Sequence, residues 1–135
     1  MAVIVLTNVS VSVGGTVLSD HANNVQLTYE VDSVEVTAFG DTGHKYVGGL
    51  QNNQCQIDFN QDFAVSNVEA TIYPLVGTTT TVIIKPVNTT IGTTNPWYTL
   101  SGTFLASHTP VAGAVGELAK TSLTFTGGTL VKAIA

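Results

Sequence analysis

Arginine is absent from this chain, and its four lysines stand against nine acidic residues. Tight nucleic-acid binding relies on clustered Arg and Lys to displace counterions from phosphates. Lys45, Lys85, Lys120 and Lys132 are scattered singly, which argues against sequence-specific binding of DNA or RNA. A formal charge of −5 instead suits a protein that lies near DNA without gripping it. Charged residues of both signs make up only 10% of the sequence, against roughly 25% in an ordinary globular chain. Free monomers use surface charge to stay apart from their copies. So low a content predicts that much of this surface ends against other subunits.

Cysteine is nearly absent too. With Cys55 alone no intramolecular disulfide framework exists. Cys55 alternates with Ile57 and Phe59, the setting of a small buried hydrophobe rather than a nucleophile. No segment approaches the ~20 apolar residues of a membrane-spanning helix, and no membrane association is expected. The stretch Met1–Leu6 lacks the basic residues and long apolar core of a secretion signal. The glycosylation sequons at Asn8 and Asn88 therefore carry little meaning.

What the chain has in abundance is threonine and a period of two. Val25, Leu27, Tyr29 and Val31 alternate with polar residues. After an expected turn at Asp32-Ser33, so do Val34, Val36 and Ala38. Cys55, Ile57 and Phe59 alternate with Gln54, Gln56, Asp58 and Asn60, and Leu123 and Phe125 with Ser122, Thr124 and Thr126. Such alternation describes antiparallel strands with one buried and one polar face. The apolar run Val82-Ile83-Ile84 reads as a strand covered on both sides, and Asn95-Pro96 leads into another through Tyr98, Leu100 and Phe104. One helix is predicted, from about 67 to 76. Ser66 and Glu69 form a capping box, Val65 is a candidate staple, and Pro74 should bend or shorten the last turn. With too few helical stretches for parallel crossovers, the fold class is mainly β: one antiparallel sandwich or barrel over residues 1–135 with a single short flanking helix.

Residues 39–50 break the alternation. Four glycines and mixed charge predict a loop of about a dozen residues, longer than the usual ~4–6. Loops of that length between strong strands commonly carry function. A Gly/Ala-rich connection, residues 110–117, precedes the last strand pair.

Nothing points to catalysis or to a cofactor. His21, His44 and His108 lie far apart in turn-like settings with no second ligand at i+2 or i+4, and solvated loop histidines are the simpler reading than a metal site. Glu30, Asp32 and Glu35 read as solvated acids at a hairpin turn rather than a calcium cluster. Gly14-Gly15 and Gly48-Gly49 precede no lysine of a phosphate loop, and no nucleophile elbow occurs.

Taken in order, the blocks Val34–Asp41 (VEVTAFGD), Val47–Leu50, Ile57–Phe63, Ala70–Gly77 and Asn95–Tyr98 resemble the small, lambda-like major tail tube proteins of siphophages, over roughly residues 20 to 130. The resemblance implies a structural virion protein forming hexameric rings that stack into a hollow tube conducting DNA from capsid to host. It implies homohexamer partners, tail initiator and terminator proteins, a tape measure protein, and a location in the phage tail after synthesis in the host cytoplasm. It further implies that residues 39–50 reach a neighbouring ring; within that loop Asp41, His44, Lys45 and Tyr46 are the side chains expected to make the contacts. The polar strand face Gln54, Gln56, Asp58 and Asn60 is a candidate for the lumen wall, and Gln26, Thr28 and Glu30 form a second such face. Alternatives of other classes are a capsid decoration or head–tail connector subunit, and a carbohydrate-binding β-sandwich built on Trp97 and Tyr98. A contractile-tail or secretion-system tube would look similar in sequence.

Overall fold

Alternation becomes architecture in a computed structural model that describes residues 3–65 and 67–134. Ten strands appear in chain order: β1 Ser10–Val13, β2 Thr16–Val17, β3 Ala22–Thr28, β4 Val31–Glu35, β5 Tyr46–Gln51, β6 Gln54–Asn60, β7 Thr79–Lys85, β8 Trp97–Leu105, β9 Lys120–Thr126 and β10 Thr129–Ala133. Eight of them make one antiparallel sheet in the order β2-β1-β7-β8-β9-β6-β3, with β10 beside β8. Among the described residues β4 and β5 pair only with each other. The sheet is mainly β as expected and does not close into a barrel, since β2 and β3 remain as its ends.

β8 is the strand on which the sheet turns. Its first half pairs with β10 through Trp97↔Ala133 to Ser101↔Thr129, and its end pairs with β9 through Phe104↔Thr126 and Leu105↔Phe125. Gly102 sits between the two halves at φ +68, a conformation that glycine takes without steric cost. The inward rows of both wings then meet in one core. Val11, Val13, Val82 and Leu100 come from one side, and Cys55, Ile57, Phe59, Leu123 and Phe125 from the other. Cys55 is fully buried as its alternation predicted, and burial pushes its thiol up to about 12, which keeps it protonated and inert.

The helix is shorter than expected. α1 spans Val68–Ile72 and tightens into a 3-10 turn at Tyr73–Leu75. Pro74 has no N–H for the α-helical ladder, and the tighter turn is the outcome. Val68 and Ile72 are buried, and Leu75 packs against the core. Ser66 of the expected capping box lies outside the described residues. The staple does not form: Val65 is 90% exposed. Glu69 does not turn back to cap the helix either, because its carboxylate meets His108 and Gln61.

Two strand expectations are corrected. Asp32-Ser33 is not a turn but the middle of β4, and the break falls at Tyr29-Glu30. Residues 39–50 are a loop only as far as Lys45, because Tyr46–Gln51 is strand β5. All of β4 and β5 is exposed, so Val34 and Val47 do not enter the core of their own chain.

Candidate assembly surfaces

The outward side of β6 lies between β3 and β9, and register decides what it meets. Gln56 is opposite Gln26 on β3 and Thr124 on β9, and Gln54 is opposite Thr28 and Thr126. The polar rows of β3 and β6, separate candidates in the sequence, are one face, three strands wide. Asp58 is held in its middle: Asn24 Nδ2 donates to Oδ2 at 3.1 Å and Ser122 Oγ donates to Oδ1. Asn23 Nδ2 donates to Asn60 Oδ1 at 2.9 Å. Lys120 pairs with Asn60, so the acid at Asp58 has a base on the same face. Sequence reading missed Asn24, Lys120 and Ser122 as partners. The alternation of residues 120–126 marks their polar side, but only the β6–β9 pairing brings it to Asp58.

The second surface is the β4–β5 hairpin and its tip. Asp41 Oδ2 accepts the Ala38 N–H at 2.7 Å, and Asp41 Oδ1 pairs with Lys45 Nζ at 2.9 Å. The Ala38 N–H, then Lys45, hold the Asp41 carboxyl below its usual range. Glu35 receives His44 and the Thr37 hydroxyl, which lower its pKa in that order. Three of the four expected contact side chains, Asp41, His44 and Lys45, are thus already engaged in bracing the tip. Tyr46 stands beside His44 with ring centroids 6.4 Å apart and is exposed.

Two histidines depart from the solvated-loop expectation. His108 Nε2 lies 2.7 Å from Glu69 Oε2 with only 2% of its side chain exposed, and Thr121 Oγ1 is 3.3 Å from its other nitrogen. His21 sits between Asp62 (2.7 Å) and Asp20 (2.9 Å). The signal was unreadable locally, since His21 and Asp62 come from the β2–β3 turn and the approach to α1. Hydrogen bonding to Asp62 raises the His21 pKa against the effect of burial. Asp62 is lowered, chiefly by the Ala64 N–H and next by His21.

The sign of the linkage follows. The histidine's contribution is full below its ordinary value near ~6.5 and is lost as pH rises through its raised folded value. The aspartate's contribution is present above its ordinary value near ~3.9 and is lost as pH falls through its lowered folded value. The pair therefore stabilises most between about pH 4 and 6.5. Thermal melts at pH 5.5 and 8.5 should show wild type losing more stability on the alkaline step than His21→Gln. Equal losses would place no stabilising charge at His21.

The glycan-binding pair does not form a platform. Lys85 Nζ lies 3.9 Å over the Trp97 ring, occupying the face a sugar would stack on. Tyr98, its neighbour along β8, lines a different feature, the apolar groove described below. Among the described residues no cluster of three or more His, Cys, Asp or Glu is arranged to hold a metal ion.

No family model matches the sequence, and no curated protein does. Solved structures match its shape almost end to end. The sheath–tube complex of an extracellular contractile injection system (PVC, extended state) aligns over 98% of this chain and 92% of that one, with TM-score 0.71 and 14% identity. The sheath/tube terminator of the same system aligns over 96% of both chains, with TM-score 0.72 and 16% identity. A chain from the tail of an empty GTA particle, refined with C6 symmetry, aligns over 84% of this chain and 82% of that one, with TM-score 0.54 and 12% identity. This chain therefore has the fold shared by tube and terminator proteins of tail-like particles. Those neighbours are structural components, not enzymes.

Proposed function

We propose that the chain is the repeating subunit of a tail-type tube. Six copies close into a ring, rings stack, and the polar face of β3, β6 and β9 lines a bore that conducts DNA. The observation that carries this reading is the near-complete mutual coverage with a chain of the sheath–tube complex. The C6 symmetry of the GTA tail supports a ring of six. Amide and hydroxyl side chains around one acid and one base, Asp58 and Lys120, make a wall that is wet and weakly charged, suited to sliding contact. The particle tail is the location this reading assigns, with tail initiator, terminator and tape measure proteins as partners and no membrane. A contractile particle would add a sheath outside the tube, and co-purification of a sheath protein would identify that case.

The first test is sizing by light scattering over a concentration series, with electron microscopy of the concentrated protein. Tubes or stacked rings are expected. A strict monomer at every concentration, absent from tail particles, would overturn the proposal. The similarity to a terminator favours one second reading: a capping ring that saturates at fixed size instead of elongating. The same series separates the two.

The hairpin is the proposed contact to the adjacent ring. Replacing residues 42–48 by a short Gly-Ser linker removes Tyr46 and Val47 and their pairing with Glu35 and Val34. No buried residue is lost, so the fold should survive while tube growth stops. Normal-length tails from that variant would remove the hairpin from the stacking contact.

A further inference from the structure

The open side of the sheet leaves an apolar groove of about 670 Å³. Val25 and Leu27 of β3 form one wall, with Ile84, Tyr98 and Leu130 from β7, β8 and β10 opposite, and Lys132 beside them. The β4–β5 hairpin presents the converse: Val31, Val34, Val47 and Leu50 are 40%, 47%, 50% and 80% exposed. A two-stranded hairpin is at best marginally stable alone in water, so its apolar side chains require a cover that its own chain does not give.

Three features match hairpin to groove. First, Gly48 and Gly49 keep the hairpin thin: a Cβ at either would come within 3.3 Å of Val31 or 3.1 Å of Val34. Second, the charges are complementary. Glu30 and Asp32 flank the start of β4, while Lys132 lines the groove, and among the described residues none of the three has an ion-pair partner. Third, knob and hole are different patches of one chain. Such heterologous contacts build rings or open-ended polymers, whereas one self-complementary patch gives a closed dimer.

We infer that the groove is the receptor for the β4–β5 hairpin of a second copy, with Glu30 and Asp32 of that copy meeting Lys132 at the rim. This rests on the tube reading and adds to it the surface that receives the hairpin.

Charge reversal tests it without touching the core. Lys132→Glu should raise the concentration needed for assembly by about tenfold or more, as for one broken interfacial charge pair. Adding Glu30→Lys and Asp32→Lys to the same chain should restore assembly. Unchanged assembly of Lys132→Glu, or failure of the triple variant to recover while folded by circular dichroism, overturns the inference and leaves the tube reading standing. Absence of assembly by wild type itself overturns the tube reading. Cysteine pairs name the occupant. Chains carrying Val34→Cys mixed with chains carrying Leu130→Cys should form an intermolecular disulfide in assembled material, Cys55 being buried. A Leu130→Cys bond formed instead with Val5→Cys would assign the groove to the exposed apolar N-terminal segment of a copy, against the proposal.

Discussion

Gly128→Ala should cost about 2–5 kcal/mol, a large share of the roughly 5–15 kcal/mol that holds a domain together. Gly128 lies between β9 and β10 at φ +90, and a Cβ there would sit 2.5 Å from Ser101 O and 3.0 Å from Thr103 N. Both atoms are backbone of β8, so no side chain can swing away. The left-handed conformation alone costs a non-glycine residue about 1–2 kcal/mol. Forcing β8 and β10 apart adds an overpacking penalty of about 1–3 kcal/mol. The shift would also disturb Asn53, whose Nδ2 donates to Gly128 O at 3.2 Å. Gly127 supplies the control: its φ is +78, but a Cβ would meet nothing within 4 Å. Gly127→Ala should therefore show the backbone cost alone. Urea denaturation of the two variants measures the difference, and equal losses would show that the close approach to β8 contributes nothing.

Asp58→Lys should leave folding and assembly intact and slow the passage of DNA, most at low salt. Asp58 and Lys120 now offset one another on the polar face. The substitution leaves two lysines per copy and no acid among the β6 and β9 positions of that face. Repeated around a ring, those lysines would form a phosphate trap whose hold falls steeply with ionic strength. Loss of the Asn24 and Ser122 hydrogen bonds is minor, because both side chains stay solvated. Ejection kinetics of variant and wild-type particles at two ionic strengths decide the matter. Identical rates at both would show that this face does not line the bore.

The strands whose alternation faces their own core were readable. Residues 54–60 and 122–126 lie as their pattern says because Ile57, Phe59, Leu123 and Phe125 are buried within one chain. The same period misled at Val34, Val36 and Ala38. Alternation reports that one face is to be covered, not whose chain covers it, and the β4–β5 hairpin is exposed on all its residues. Pro74 was informative because its effect is local. The His21–Asp62 and His108–Glu69 pairs were not, since each joins residues some forty positions apart through contacts that only the sheet creates. The lumen candidates Gln54, Gln56, Asp58 and Asn60 were legible as a strip, and the breadth of that face was not, for want of register.

The order in which the strands find partners has a consequence for biosynthesis. β1 waits for β7, with Ser10 pairing to Lys85, and β6 waits for β9, with Gln54 pairing to Thr126. Pairings so distant in sequence form slowly and late. The β4–β5 hairpin, closed between Val31 and Gln51, can zip as soon as it leaves the ribosome. Its proposed receptor cannot, because Leu130 and Lys132 belong to β10, which is made after β1 to β9. A growing chain would thus own a plug before it owns a socket. On a polysome, where copies crowd together at mismatched stages, nascent subunits would be unable to accept one another, and polymerisation would begin only among finished molecules.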